Sequence, residues 1–390
     1  MVVGGGTIGG WCAVFLRRAG LGVVLLEAGT LGMGASSRAA GMVRAQGGTP
    51  AAVRLGLWSQ EFYRGLWQAS DGGYDAGFVE TGYFMPCFTE GEVAAAHDRI
   101  AMQRGEGLES EWVEPDEVDR RNPAMAPGKT LGASYFAGDG WIDPPRNVLA
   151  YAVALATSGV EVRERTAFTG LVTEGGRVTG VRTSAGEISC GLVVLTGGPT
   201  LAAVGDAVGA RIWSGATRHQ VVVTAPHPDL APERVPMVFD VASGIYWRPE
   251  EGGLLWGMSN PAEPPGAATE FDDAYFARMR ARIADLVPVT SGLGLRRSWA
   301  ATIDYTPDHL PILGPLITRD GGVVSGVTVA AAGGHGMMWG PAISRSAADL
   351  ALTGHTDVVD TAPLGLDRFD AEGHSSLAAD PIALPFPERA

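Results

Sequence analysis

The chain has 390 residues, 46% hydrophobic and 18% charged, so it can form one large or two intertwined domains around a substantial core. Its net charge of −14, without any basic run, disfavours a nucleic acid partner. Cys12, Cys87 and Cys190 form no C-x-x-C pair, so we expect no disulfide framework, no metal site and a reducing, cytoplasmic location.

No targeting or membrane segment is predicted. The apolar N-terminus lacks a basic n-region, and glycines interrupt it. No apolar run reaches the length of about 18 residues that a membrane-spanning helix needs. Because the first predicted strand begins at residue 1, we expect that a few natural N-terminal residues precede it.

The N-terminal stretch predicts a dinucleotide site. An apolar run leads into Gly4, Gly6 and Gly9, then a helical segment, then a second apolar run that ends at Glu27. This is G-x-G-x-x-G in the strand–turn–helix setting that such a site requires. The glycines allow a tight turn, close approach of a pyrophosphate and close helix packing, while the helix N-terminus offers N–H groups to phosphate. Glu27 stands near the spacing of about 20 residues expected for an acid that accepts from ribose hydroxyls.

The loop over residues 28–48 is rich in glycine, alanine and serine. Such a composition lets backbone pass close to a bulky ligand, and Ser36 and Ser37 can donate to phosphate. Taken alone, the loop would be an ordinary surface loop. Directly after Glu27, it is expected to wrap the second half of the cofactor.

Periodicity predicts helices and strands along the rest of the chain. Helices are predicted over residues 51–65, 90–105, 115–121, 146–157, 272–286 and 342–352. Strands are predicted over residues 80–88, 131–141, 192–195 and 323–332, within 160–194 around turns at Gly175-Gly176 and 184–186, and within 218–256. Residues 292–314 are predicted to be irregular, and the tail after Gly354 is predicted to wrap the surface.

The order of these elements indicates two discontinuous domains. Strands of the nucleotide-binding type come from the beginning, the middle and the end of the chain, and β-rich stretches lie between them. Glycine turns at 196–199 and 333–336 follow two of the apolar strands, at the carboxyl ends where doubly wound sheets bind ligands. The predicted fold is therefore a Rossmann-type α/β domain with an α+β cap or substrate domain.

Several segments resemble the D-amino acid oxidase-like flavoenzymes, which include sarcosine oxidases, glycine oxidase and dimethylglycine dehydrogenase. They occur in the family's order over most of the chain: VVGGGTIGG, GASSRAAGMVR, GWIDPPRNVLAYAVALATSGVEV, VTGVRTSAGEISCGLVVLTGG, GIYWRPEEGGLLWG, TPDHLPILGPL and VTVAAAGGHGMMWGPAISRSAADL. The resemblance implies FAD, held by residues 1–80, 145–215 and 322–390, and an antiparallel-sheet substrate domain over 81–144 and 216–321. It also implies oxidation of an amine C–N bond by hydride transfer to the flavin, followed by hydrolysis of the imine.

The resemblance and the glycine turns together give a set of expected FAD-binding residues. The turn at 333–336 is expected to open a helix whose N-terminus faces the flavin and stabilises negative charge on its reduced ring. The predicted FAD-binding residues are Gly4, Gly6, Thr7, Ile8, Gly9, Glu27, Ala28, Ser36, Ser37, Arg38, Ala40, Gly41, Met42, Thr196, Gly197, Gly198, Gly333, Gly334, His335, Gly336, Met337 and Met338.

Departures from the family pattern bear on flavin attachment and oxygen use. Arg38 stands where dimethylglycine dehydrogenase-like members carry a flavin-linking histidine, and Ala301 is near the position of the linking cysteine of sarcosine oxidases. We therefore predict noncovalent FAD. The chain has one lysine, Lys129, whereas Leu255 and Met337 or Met338 stand where the family places lysines for oxygen activation and substrate binding. The sequence therefore leaves open whether oxygen or another electron acceptor reoxidises the flavin.

Four residues are predicted to act on the substrate. Arg44 aligns with a family arginine that grips a substrate carboxylate, a bidentate task suited to guanidinium, with a structural or phosphate-contacting role as the alternative. Arg297 and its neighbour Arg296 are rival candidates for that role. The alternative is that each forms a surface salt bridge. Tyr246 is a pocket or core tyrosine, and His335 is expected to orient flavin or substrate. His219 matches a pattern in dimethylglycine dehydrogenase-like members and is a further candidate, while nearby tryptophans could line the pocket.

The leading hypothesis is an FAD-dependent oxidoreductase acting on a secondary or N-alkylated amino acid or amine. One alternative is a hydroxy-acid or polyol dehydrogenase, because the same fold supports that chemistry. Another is an accessory FAD-binding subunit of a larger amine-oxidising complex.

Overall fold

The computed structural model describes residues 1–69, 73–232 and 235–385. The predicted domain ranges also include 70–72, 233–234 and 386–390, which lie outside the described residues. The helices are α1 (Thr7–Arg18), α2 (Pro50–Ala69), α3 (Glu90–Gly105), α4 (Pro115–Arg121), α5 (Pro144–Ser158), α6 (Leu201–Asp206), α7 (Asp273–Leu286) and α8 (Gly340–Thr353). The strands are β1 (Val2–Val3), β2 (Val24–Leu26), β3 (Met42–Val43), β4 (Val79–Glu80), β5 (Tyr83–Cys87), β6 (Glu111–Val113), β7 (Gly132–Phe136), β8 (Gly140–Trp141), β9 (Glu161–Arg163), β10 (Phe168–Glu174), β11 (Arg177–Thr183), β12 (Gly186–Ser189), β13 (Val193–Leu195), β14 (Gly215–Thr224), β15 (Met237–Asp240), β16 (Ile245–Glu250), β17 (Gly253–Met258), β18 (Leu295–Tyr305), β19 (Ile312–Ile317) and β20 (Val323–Ala331).

Local sequence signals explain where the helices begin and end. The predicted bounds of α3 and α4 are confirmed, and α3 starts at a capping box between Thr89 and Glu92. At the start of α5, the Asp143 side chain accepts from the Arg146 N–H, which follows two prolines. Gly159 ends the helix with a φ of 76°.

A parallel sheet unites strands from distant parts of the chain. Its central order is β20-β13-β1-β2-β9, and all four of these pairings are parallel. The predicted meeting of N-terminal, middle and C-terminal strands is therefore confirmed. Helices α1, α5 and α8 share one buried cluster over this sheet, which includes Trp11, Tyr151 and Ile343. The carboxyl end of β1 thereby faces the start of α1.

A second sheet provides the other half of the fold. Its order is β18-β14-β17-β16-β15-β5-β7-β6, and its pairings are antiparallel except between β15 and β5. Helix α7 packs on one face through Tyr275, Met279 and Ile283. The predicted combination of a Rossmann-type sheet with an antiparallel sheet is confirmed, while the exact domain ranges stay a prediction.

Two predictions about the C-terminal third are wrong. Residues 292–314 are not irregular, because β18 runs through them and pairs with β14 from Gly215 to Thr224. The tail does not only wrap the surface, since Leu364 and Ile382 are each 1% exposed and pack in the core. A buried ion pair between Arg368 and Asp308 fastens the tail inside the protein.

Across the described ranges, no helix combines the length and apolar composition that crossing a membrane requires. The three cysteines are free, with Cys12 and Cys87 buried.

Candidate active site

The turn after β1 has the backbone geometry of the predicted dinucleotide site. Gly4 has a φ of 104°, and a Cβ there would lie 2.7 Å from the Thr196 carbonyl oxygen. A Cβ on Gly9 would collide with the Gly4 carbonyl and lie 2.6 Å from Thr196 Oγ1. Only glycine fits at either position, because α1 packs against the turn. The turn after β13 therefore meets the first glycine turn, as both were predicted to line one ligand.

The start of α1 is suited to an anion. The N-cap residue, Gly6, has no side chain to cap the helix, and within the described structure the first turn carries no acidic residue. The Thr7 N–H donates to Ser36 Oγ at 2.9 Å, which brings the loop after β2 over this helix N-terminus. Free N–H groups and the positive end of the helix dipole favour a phosphate at this point.

Glu27 lies beside the same turn, immediately after β2. Its Oε2 accepts from the Gly5 N–H at 2.7 Å, and its Oε1 accepts from the Gly29 N–H at 2.7 Å. Each carboxylate oxygen can accept a second hydrogen bond. The carboxylate is therefore held where the spacing predicts a ribose-binding acid, with Ala28 next to it.

A cavity lies between the loop that contains Ser36 and the glycine turn after β20. It brings together most of the predicted flavin-end residues with others from the antiparallel sheet. The lining residues are Ala35, Ser36, Arg38, Ala39, Ala40, Gly41, Met42, Arg44, Tyr83, His219, Val221, Phe239, Tyr246, Ala301, Ile303, Asp304, Gly334, His335, Gly336, Met337, Met338 and Leu384.

Unsatisfied polar atoms beside this cavity fit a polar ligand such as FAD. In the described part of the chain, both ring nitrogens of His335 and the hydroxyl of Ser37 are buried without a hydrogen-bond partner. Buried polar groups normally have partners, so these atoms indicate a group that they would contact. Burial, together with the nearby Arg44 cation, holds the pKa of His335 well below its usual value, so the ring is neutral.

The glycine turn differs from its prediction in one respect. The helix does not begin directly after Gly336: residues 337–339 come first, and the Trp339 N–H donates to the His335 carbonyl at 2.9 Å in the i to i−4 pattern of one helical turn. Helix α8 begins at Gly340. The centroids of the His335 and Trp339 rings are 4.1 Å apart. Residues 334–338 of this turn line the cavity, and α8 follows them at Gly340.

His219 and Tyr246 form a buried hydrogen-bonded pair in the cavity wall. His219 Nε2 lies 2.7 Å from the Tyr246 hydroxyl, and the two rings are stacked with an interplanar angle of 14°. Burial lowers the pKa of His219 to about 4 and raises the pKa of Tyr246 far above its usual value. At neutral pH both groups are uncharged, and the tyrosine hydroxyl can donate to the histidine nitrogen.

Arg44 lines the same cavity and is 3% exposed. Its Nη2 donates to the Ile382 carbonyl at 3.0 Å, and its Nη1 donates to the Gln46 carbonyl. The guanidinium also lies 5.7 Å from the centroid of the Phe239 ring. Since a guanidinium has five N–H donors, these contacts leave others for a ligand.

Arg297 does not belong to this site. Its guanidinium is exposed and pairs with Glu250 at 2.9 Å, and neighbouring Arg296 pairs with Glu251 at 2.7 Å. Neither arginine lines the cavity, so the predicted catalytic role of Arg297 is wrong and the surface salt bridge is correct.

Several lining residues were missed by sequence reasoning. Asp304 lies beside the glycine turn after β20, where backbone N–H groups of Gly333 and Gly334 partly offset the rise in its pKa caused by burial. The sequence signal that could have identified Asp304 as a lining residue is its position just before the Thr-Pro-Asp segment. Tyr83 and Phe239 come from strands, and nothing local in the sequence marks them as lining residues.

The positions expected to bear on flavin attachment lie in the cavity. Arg38 and Ala301 both line it, and the Trp299 indole donates to the Arg38 carbonyl at 2.8 Å. The noncovalent attachment of FAD stays a prediction.

A dinucleotide-type parallel sheet, an antiparallel sheet and a cavity between their loops are the architecture of an FAD-dependent oxidoreductase. The chain belongs to the FAD-dependent oxidoreductase family, whose model matches residues 1–350. This membership confirms the recognition of the family and the prediction of FAD.

Individual relatives agree with that assignment. The chain is 30% identical to glycine oxidase of Geobacillus kaustophilus, covering 94% of this chain and 96% of that protein. It is 29% identical to 4-methylaminobutanoate oxidase (formaldehyde-forming) of Paenarthrobacter nicotinovorans, but it spans only 46% of that longer protein. Among solved structures, L-proline dehydrogenase from P. horikoshii matches with a TM-score of 0.86 at 25% identity, covering 94% of this chain and 96% of that one.

Proposed function

We propose that the chain oxidises the C–N bond of a secondary or N-alkylated amino acid or amine, and that water hydrolyses the imine product. When bound, FAD supplies the chemistry by accepting the hydride. The names of the relatives, glycine oxidase and 4-methylaminobutanoate oxidase, support an amine or amino acid as substrate. The predicted FAD-binding residues would hold the cofactor, with Gly4 to Gly9 and Glu27 at its ADP end and residues 333–338 at its flavin end.

One observation carries this proposal: a buried cation, Arg44, and the neutral Tyr246–His219 pair line the same cavity. Arg44 would bind the substrate carboxylate through N–H groups that its two carbonyl contacts leave available. With its proton directed to His219, the Tyr246 oxygen would accept from the amine N–H. Burial beside the Arg44 cation disfavours the ammonium form, so the cavity favours the neutral amine, whose lone pair the oxidation requires.

The apolar residues of the cavity would keep water away from its polar groups. Met42, Val221 and Phe239 exclude water around the polar groups, which strengthens each electrostatic contact in the cavity. His335 would contact flavin or substrate through its unpartnered ring nitrogens, and because it is neutral it is assigned orientation and not charge stabilisation.

The electron acceptor belongs to the same proposal. Leu255, at the position of the family's oxygen-activating lysine, is a buried β17 residue that packs beside Tyr246. An acceptor other than oxygen is therefore favoured. Peroxide formation, compared with reduction of an artificial dye by the same substrate, separates an oxidase from a dehydrogenase.

The test is anaerobic reduction of the bound flavin with matched panels of N-alkyl amino acids and hydroxy acids. We expect bleaching by N-alkyl amino acids alone. Bleaching by hydroxy acids alone would reject the amine proposal in favour of the hydroxy-acid alternative. No bleaching by either panel, with activity restored by a partner protein, would favour an accessory subunit. That outcome is relevant because the chain spans less than half of one oxidase relative.

The cytoplasmic location is also proposed, on the basis of the three free cysteines. Cell fractionation of the source organism tests it.

A further inference from the structure

Residues 380–385, which we call the C-terminal strap, run beside the cavity, and Leu384 lines it. At one end, the Asp380 N–H donates to the Asp308 carbonyl at 3.0 Å, in the loop between β18 and β19. At the other end, Pro385 lies against the turn between β15 and β16, where a Cβ on Gly244 would be 2.7 Å from its ring. The strap therefore connects the loop before β19 with the antiparallel sheet.

The strap is packed into the protein along its length. Asp380 is 4% exposed, and its Oδ1 accepts from the Ile382 N–H at 3.0 Å. Ile382 is 1% exposed and belongs to the same apolar cluster as Tyr83, Phe239 and Tyr246, three of the cavity-lining residues. At Gly48 the strap passes so closely that an added Cβ would lie 2.8 Å from Pro381 Cδ and 2.9 Å from Ile382 Cγ1.

Two groups of the strap reach the candidate site directly. The Ile382 carbonyl accepts from Arg44 Nη2 at 3.0 Å, so the strap fixes the orientation of the proposed carboxylate-binding cation. Leu384 lines the cavity and packs against the cluster that contains Met42 and Tyr246.

We propose that Leu384 determines which amine substituents the cavity accepts, and that the strap holds it in place. Arg44 and the Tyr246–His219 pair account for the polar ends of an amino acid. An N-alkyl group lacks a polar partner, so an apolar wall must select it. Leu384 supplies such a wall from a segment outside both sheets. This inference rests on the proposed function for the class of substrate.

Leu384→Ala tests the inference, with Leu377→Ala as the matched control. Leu377 is a half-buried leucine of the same tail that packs on the core of the parallel sheet and does not line the cavity. The substrates are one amino acid carrying N-methyl, N-propyl or N-benzyl groups. We expect Leu384→Ala to raise kcat/KM for the larger substituents relative to N-methyl by roughly tenfold or more, the scale on which an apolar pocket discriminates. The control should leave the ratio unchanged.

Gly48→Ala tests the strap itself without altering a lining residue. The added methyl group displaces the strap, whereas Gly65→Ala, with no atom near its added Cβ, is the matched control. Hydrogen–deuterium exchange of residues 377–385 provides a readout that does not depend on activity. We expect faster exchange and a relaxed size preference for Gly48→Ala alone. Equal exchange and equal preference in the two alanine variants would overturn the role of the strap.

The outcomes separate this inference from the proposed function. If hydroxy acids reduce the flavin and amines do not, the amine proposal fails, and the same variants are compared on hydroxy acids of increasing size. If neither class reacts, a size series of simple carboxylates is titrated against the flavin absorption spectrum. In each case an unchanged ratio between large and small ligands in Leu384→Ala rejects the role of Leu384.

Discussion

Replacing Tyr246 by phenylalanine should impair catalysis while leaving the fold intact. The change deletes a hydroxyl that lies 2.7 Å from His219 Nε2 and leaves that buried nitrogen without its partner. Removing one partner of a buried hydrogen bond costs about 1–3 kcal/mol. If the pair also contacts the substrate, kcat/KM falls by about 5- to 150-fold, since each 1.36 kcal/mol corresponds to a factor of ten.

Tyr275→Phe is the matched control for this prediction. The Tyr275 hydroxyl is also buried and donates to the Ser259 carbonyl, but the side chain packs under α7, outside the cavity lining. We expect a similar loss in stability from both variants and an unchanged kcat/KM in the control. Flavin reduction is followed anaerobically by stopped flow, and unfolding is followed by denaturant titration.

A double variant shows whether the two residues act as a unit. If Tyr246 acts through His219, adding His219→Asn to Tyr246→Phe should cost little beyond the worse single variant. The reasoning is refuted if Tyr246→Phe and Tyr275→Phe have the same kcat/KM, or if the losses in the double variant are fully additive.

Further predictions concern stability, ligand binding and FAD. His219 has a pKa of about 4 when folded and about 6.5 when unfolded, so the unfolded chain binds the extra proton between these values. The free energy of unfolding should therefore fall as pH drops from about 6.5 to about 4, and pH-dependent denaturation of His219→Asn should show a smaller fall. Arg44→Met should raise KM at least tenfold for a carboxylate-bearing amine, whereas Arg297→Met should leave KM unchanged in the same assay. Arg368→Met should lower the free energy of unfolding by about 3–5 kcal/mol because it leaves Asp308 buried and unpaired, while Arg345→Met, in an exposed pair, should lower it by less than about 1 kcal/mol. Gly9→Ala should abolish retention of flavin absorbance through gel filtration, and retained FAD would contradict the steric assignment of the turn.

The parallel sheet could be predicted because its signals are local. The strand Val193–Leu195 is a short apolar run followed by a glycine turn, and Val323–Ala331 has the same organisation. Such runs indicate both the burial and the end of a strand, so the turns predicted to bind FAD can be located from them. The strand Leu295–Tyr305 could not be predicted in this way, since its first residues are exposed and charged. It is formed by its pairing with β14, an interaction that no local pattern encodes.

The same strand explains why Arg297 lies outside the cavity although the sequence predicts that it acts on the substrate. Arg297, Trp299, Ala301 and Ile303 alternate along β18 and so point to one face of the sheet. Ala301 and Ile303 line the cavity, and Trp299 bonds to the loop beside it. Arg297 is four residues before Ala301, about 13 Å along the strand, and so reaches the acidic pair beyond the cavity. The alternation of residues predicts which face of a strand a side chain occupies, but it does not predict where along that strand the cavity ends.

The antiparallel sheet lines the cavity and also holds residues 38–40, part of the loop that is predicted to bind FAD. Arg248 Nε, on β16, donates to the Ala40 carbonyl at 2.7 Å, and the Trp299 indole, on β18, donates to the Arg38 carbonyl. Arg248 is 2% exposed, and its guanidinium stacks 4.5 Å from the Trp141 ring centroid. Since both bonds go to backbone carbonyls, the side chains of the loop do not reveal them. FAD affinity should therefore respond to changes in the antiparallel sheet as well as to changes in the glycine turns, and substrate and cofactor sites should not vary independently.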